Sequence, residues 1–517
     1  MDHLVPRLRA VCDLLMPWVR EGAGRHEYDG RVPDYSDGGV REALARVGDG
    51  ERLEDPHDEA HLRAFEESLR VAYGELELHR RNPLGHLDAL DLACYDREYA
   101  PAAEREAARL RHLAGWPEAA DTAVRTLDLV PAPVARALLG PVRGLAAGIP
   151  ADSGDIGDKA RAAHARLVAH LEHLAERGDP DAALGAPALA RLMGAPERLD
   201  LDLTTLAADA DRERDRLMER LTVACARLDA ARPALELCRE LVRDHPDIDG
   251  VMDASRLWTE RAVAFTRERD LVPYHDGECL VGLAPESRRW GMAMMSWAAP
   301  GEPDAPSWYH ITPPDPAWPE EDIEDWLQVF SATTLPGVTV HEVAPGHFSH
   351  GRALRHAPTP VRRTLYSLAF VEGWAHYAEE LCVEEGFQAE DPRFEIGVWL
   401  ESLVRVTRLA CAIGVHSGEM TVEDGARRFA ADTHLAGSAA RAEAGRAVFD
   451  PTYGRYTHGK LEILRLRERA REEWGAGYSP QRFHSAMFEL GSPPLGLLPT
   501  ALGHPPELTG RPRPAAS

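Results

Sequence analysis

Seven residues constrain this chain more than any others: His341-Glu342-Val343-Ala344-Pro345-Gly346-His347. His-Glu opens the H-E-x-x-H pattern, in which two histidines one helical turn apart hold zinc and the glutamate serves as base. Here position 345 is a proline, and the second histidine comes at 347. Six residues of regular helix amount to about 600° of rotation, which leaves the two rings about 120° apart and unable to share an ion. Pro345 removes a backbone donor and clashes with the preceding turn, and Gly346 tolerates conformations closed to other residues. A helix bulged or broken at this pair swings His347 back toward His341. The odd spacing and the odd residues explain each other.

A zinc hydrolase site also needs a third ligand and an open position. The stretch AFVEGWAHYAEEL, residues 369–381, is strongly helical and carries Glu372, Trp374, Tyr377 and Glu379. Glu372 follows His347 at a distance that allows a loop and a returning helix. His341, His347 and Glu372 are therefore expected to hold one Zn2+. Glu342 is left as the base that takes a proton from the metal-bound water and passes it to the leaving group.

The rest of the chain frames this site. Of 517 residues, 44% are hydrophobic, enough for a large core. Through residue 250 the pattern is helical, with short Gly/Pro turns. Leu167, Leu171 and Leu174 share one helical face before Gly178, and Leu217, Leu221, Ala224 and Leu228 repeat the rhythm. The histidines of the first of these segments, His164, His170 and His173, read as surface residues. Near 272 the texture changes to short apolar runs beginning at Cys279, Trp290 and Ser307, which read as strands. Helices return from about 320 to 475. This predicts a mainly α protein with a small β-sheet: an N-terminal helical region over 1–270, a catalytic region over 271–500 and a loosely ordered tail over 501–517.

The formal charge is −26. Such a chain repels polyanions, so neither nucleic acid nor an anionic membrane surface is an expected partner. No apolar run is long enough to span a bilayer, and the N-terminus lacks the features of a signal peptide, which predicts a cytoplasmic location. The seven cysteines are scattered singly, without C-x-x-C, and suggest neither a disulfide framework nor a thiolate zinc site.

HEVAPGH (341–347), EGWAHYAE (372–379), RVTRLACAIGVH (405–416) and YTHGKLEILRLRERA (456–470) together resemble the motif series of the DUF885 family, zinc hydrolases of bacteria. The resemblance runs from about 280 to 500. That family in turn resembles the helical gluzincin peptidases, which implies two helical walls around a deep groove with a small sheet at its floor. Peptide cleavage is the implied activity, with an edge strand holding an extended substrate. A metal-dependent enzyme acting on a small-molecule or non-standard amide is the alternative.

The same resemblance makes Tyr456 the donor to the oxyanion, with His458 and Tyr453 as neighbours able to share the task. It places His416 near substrate. Arg405 and Arg408 are either carboxylate binders or partners in ion pairs between helices. The chain departs from the family pattern at His350, His376, Ala412-Ile413 and Asp450-Pro451-Thr452. His350 and His376 each share a helical face with a ligand, as substrate contacts, supports or alternative ligands.

Overall fold

A computed structural model describes residues 4–289, 291–302, 304–506 and 513–514. Long amphipathic helices pair through the apolar faces visible in the sequence. Helix α1 (Ala102–Thr126) packs on α2 (Gly154–Arg177), burying Leu113, Trp116 and Ala120 against Ala163, Leu167 and Leu171. Helix α2 stops at Gly178, as the spacing predicts. Two of its histidines are not surface residues: His164 is buried with Nε2 2.7 Å from Val142 O, and His170 Nε2 lies 2.9 Å from Leu127 O. A neutral imidazole donates to a carbonyl of a neighbouring segment at little desolvation cost, and polarity alone does not announce that use.

Helix α3 (Leu203–Ala226) lies along α7 (Pro392–Ser417). It ends before Leu228, which is exposed. The largest core cluster takes Leu217, Leu221 and Leu271 from one side of residue 270, and Phe370, Trp374, Leu403 and Leu409 from the other.

All three apolar runs after 272 are strands: β1 (Cys279–Leu283), β2 (Ala293–Ser296) and β3 (Ser307–Ile311). The order is β1-β3-β2, with β1 parallel and β2 antiparallel to the central β3. Tyr309 and Ile311 point inward onto Val338, Val343 and Phe348, so the sheet rests on the segment that contains the H-E motif. β2 packs beside α4 (Leu335–Glu342). Its other edge has no strand partner among the described residues.

The remaining walls are α5 (His347–His356), α6 (Leu368–Glu384), α8 (Gly437–Arg446) and α9 (Arg455–Trp474). Helices α6 and α9 cross at Gly373 and Gly459, where a Cβ on Gly459 would lie 1.8 Å from Ala369 O. Only glycine permits that approach, which sets the start of α9 against α6. Ser367 caps α6 by accepting from Phe370 N, and its hydroxyl donates to buried Glu197 at 2.7 Å.

In the segment expected to be a loose tail, Ala501 and Leu502 pack on the main core. Residues 507–517, apart from Arg513–Pro514, lie outside the described residues, as does Trp290. No described helix is long and apolar enough to cross a membrane.

Candidate metal centre

The helix breaks where the sequence requires. Helix α4 ends at Glu342 and α5 begins at His347. The Ala344–Pro345 peptide is cis, and Gly346 N–H donates to Val340 O at 3.2 Å. Gly346 has φ −69° and ψ −134°. Sterics call for glycine here: a Cβ would sit 1.9 Å from His341 O and 2.4 Å from Val340 O. Trp374 closes the joint from α6, with its indole Nε1 donating to Pro345 O at 2.9 Å and Gly346 O at 3.3 Å. One tryptophan therefore couples the helix that carries Glu372 to the break that aims His347.

His341, His347 and Glu372 converge. One donor atom from each lies within 4.8 Å of the others. Glu372 Oε2 is 3.5 Å from His341 Nε2 and 3.4 Å from His347 Nε2. Those two separations are close to the ~3.4 Å edge of a tetrahedron whose ligand bonds are ~2.0–2.2 Å, the zinc range. Burial works against ionising Glu372, but the two histidines beside it hold its carboxyl well below the usual range. Burial and Arg405 push the His341 ring down, yet Glu372 and Glu379 bring it up to about 9. Donor type, separation and negative charge all fit a divalent cation. The small exposure of the site, with the Glu372 side chain at 19%, leaves one side open to solvent.

Glu379, two helical turns after Glu372 on α6, has a role that sequence reasoning missed. Its Oε1 lies 2.6 Å from His341 Nδ1, and its Oε2 accepts from Arg405 Nη1 at 3.1 Å. A carboxylate on the far nitrogen of a ligating imidazole fixes both tautomer and ring orientation. The i, i+7 repeat of glutamates within EGWAHYAE was the available signal.

Glu342 is buried, and its Oε2 has no hydrogen-bond partner. Burial pushes its carboxyl up, opposed by His347 and His341 and reinforced by Glu372. Tyr456 stands on the opposite wall, its ring centroid 6.3 Å from that of His341 and inclined 26° to it.

The other sequence candidates go elsewhere. His458 is two residues past Tyr456, about 200° round the helix. It is buried, with Arg465 and Asp209 as its charged neighbours, and burial brings it to about 4. Tyr453 is enclosed in an apolar cluster with Cys411, Phe429 and Ala444. His416 accepts from Leu184 N at Nδ1 and donates to Ala447 O at 2.8 Å, tying loops together. His350 pairs with Ser492 Oγ at 2.9 Å, packed between Phe370 and Phe488. His376 is buried behind Glu379, with Nδ1 3.6 Å from Oε2. None of these five is among the clustered metal donors. Helical register puts such residues on a helix but not on its groove side. Arg405 pairs with Glu379, and Arg408 is held bidentately by Glu443 at 2.7 Å, the ion-pair arrangement for both.

A family model described as "Bacterial protein of unknown function (DUF885)" matches residues 17–502. Among solved structures, a "putative lipoprotein of unknown function" from Shewanella oneidensis superposes with TM-score 0.75 at 18% identity, covering 96% of this chain and 98% of its own. The "putative lipoprotein" from Colwellia psychrerythraea superposes with TM-score 0.76 at 16% identity, covering 97% and 99%. At such identity the likeness concerns the fold. Among curated proteins, none matches. The two neighbours overturn the cytoplasmic location expected from the N-terminus. Both are described as putative lipoproteins.

Proposed function

The chain belongs to the DUF885 family, and from that premise we propose that it is a zinc-dependent hydrolase that cleaves peptide bonds. The observation that carries this reading is the convergence of His341, His347 and Glu372, with one donor atom from each within 4.8 Å of the others, and Glu342 beside them with its Oε2 unpartnered. Bound there, zinc supplies Lewis acidity, polarising a carbonyl and making water acidic near neutral pH.

The chain's own groups do the rest. Glu342 accepts the proton of the attacking water and returns it to the leaving amine. Glu342 lies beside the triad without being one of its clustered donors, which leaves it available as a base. Tyr456 donates its phenol hydrogen to the oxygen on which charge develops. Glu379 holds His341 in the tautomer that presents Nε2. The open edge of β2 beside α4 offers backbone donors and acceptors to an extended chain, which favours a peptide as substrate. Purified protein should contain one zinc by elemental analysis and hydrolyse members of a peptide library in a chelator-sensitive manner. Protein that binds no zinc, or whose hydrolysis persists after full chelation, would reject the reading.

A further inference from the structure

The seven cysteines lie singly along the sequence, yet the fold brings two of them together. Cys225 stands in the last turn of α3, and Cys238 in the middle of the short helix Ala234–Leu241 that follows. Their sulfurs are 3.7 Å apart. Both residues are buried, at 1% and 0% exposure. The Cys225 thiol also points at Ala234 O, 3.9 Å away, so the pair sits at the joint between the two helices. Among the described residues no other two cysteines are in hydrogen-bond contact.

A disulfide holds its sulfurs at about 2.05 Å, so this pair must close by about 1.7 Å. Each sulfur turns on a single χ1 torsion, and the short helix is the element that can yield. Of its eight residues only Leu237 and Cys238 are buried. On its outer side Arg239 donates to His434 O, Ala430 O and Thr433 O at 3.3, 3.4 and 3.5 Å, all long for such bonds. An element with so few buried contacts opens locally without global unfolding, and that opening admits a small reagent to Cys238.

We propose that Cys225 and Cys238 are an oxidation site, a thiol pair that closes to a disulfide by exchange with a low-molecular-weight disulfide. First the Cys238 thiolate attacks one sulfur of the reagent. A mixed S–S bond forms as the reagent's own bond breaks, and one reagent thiol leaves with the proton from Cys238. Then the Cys225 thiolate attacks the Cys238 sulfur and expels the second reagent thiol, which takes the proton from Cys225. The protein gives up two hydrogens and two electrons, and the reagent is reduced by the same number. The bridge closes a short loop across residues 227–233 and pins the short helix to α3, which stabilises the fold by restricting the unfolded chain. Just beyond that helix, Asp244 O accepts from Ala332 N at 2.8 Å, three residues before α4 begins. The pinned backbone is therefore the support under the helix that carries His341 and Glu342. This site stands independently of the hydrolase reading.

The test incubates the folded full chain with oxidised glutathione or with reduced dithiothreitol, then denatures, alkylates and maps it by mass spectrometry. After oxidised glutathione, two of the seven thiols should resist alkylation and appear as one cross-link between the peptides holding Cys225 and Cys238. Dithiothreitol should restore all seven. Denaturant titration should place the midpoint of the bridged protein above that of the reduced protein. Cys225→Ala and Cys238→Ala should each abolish both the cross-link and the oxidant-dependent shift. Should either variant fail to fold, the cross-link map and its reversal in the wild type decide alone.

Seven alkylatable thiols after oxidation, a cross-link between other cysteines, glutathione retained on Cys225 or Cys238, or a bridge that forms only in the denatured chain overturns the proposal. A reversible Cys225–Cys238 bridge that leaves the midpoint unmoved supports the oxidation site and overturns the pinning.

Discussion

Gly346→Ala tests the joint on which the whole centre depends. The substitution adds one methyl group and removes no ligand. That Cβ would stand 1.9 Å from His341 O, where real contacts are not found below 3.0 Å, so one side of the joint must move by more than 1 Å. The contact is backbone, and Val340 O at 2.4 Å blocks the neighbouring direction. Relief therefore requires the end of α4 and the start of α5 to part, which separates His341 from His347. Zinc sites tolerate only about 0.2 Å of error in ligand distance. A displaced ligand should weaken zinc binding by about 10–100-fold, the cost of disturbing the groups that aim a ligand. Overpacking of this kind also costs about 1–3 kcal/mol of stability.

The assay is competition with a chromogenic chelator, run beside thermal unfolding of the metal-free protein. His347→Ala serves as the reference for outright ligand loss and should bind zinc more weakly still. A Gly346→Ala protein with wild-type zinc affinity would refute the reasoning. It would mean that Trp374 and the surrounding core, not the absence of a side chain at 346, set the relation of the two histidines.

Four further outcomes are expected. Glu379→Gln should lower zinc affinity about 10–100-fold while Glu372 and both histidines stay in place, measured by the same competition; no change would remove its orienting role. Glu342→Gln should retain zinc and fold but lose about 10²–10⁴-fold in kcat, and near wild-type turnover would exclude it as the base. Tyr456→Phe should cost about 2.7–4 kcal/mol of transition-state stabilisation, seen in kcat with KM little altered; a rise in KM alone would make it a ground-state contact.

Glu197 carries a pH dependence. Burial raises its carboxyl from the ordinary 4.5 to about 7, against donation from Leu495 N and Ser367. The folded state then holds the proton more tightly than the unfolded state, so this contribution is full below about 4.5 and is lost as pH rises through about 7. Denaturant titrations should show wild type losing stability relative to Glu197→Gln over that window, and a parallel pH profile for the two proteins would reject the shift.

Much of the candidate metal centre was legible in the sequence. The spacing of His341 and His347 is incompatible with a continuous helix, and only Pro345-Gly346 can interrupt it, so the break followed from covalent geometry. Glu372 was legible because a helical stretch with an inward acid follows at loop-and-return distance. The three strands showed as short apolar runs between turn residues, and the long helices showed as apolar faces at helical period. These are local properties, fixed by backbone stereochemistry and by the pattern of side chains along one element.

What the sequence left open depended on which faces of different helices meet. His350, His376, His416, Tyr453 and His458 each sit on a correctly placed helix, yet packing turns every one of them away from the metal donors. Arg405 pairs with Glu379, and α8 and α9 bring Arg446 and Arg455 onto one Asp450. Tyr456 reaches His341 because Gly373 and Gly459 let two helices touch backbone to backbone. A sequence determines the rotation of each side chain about its own helix axis. The angle and depth at which two helices cross come from the summed packing of their whole surfaces, and that sum decides which polar groups line the groove and which are sealed behind it.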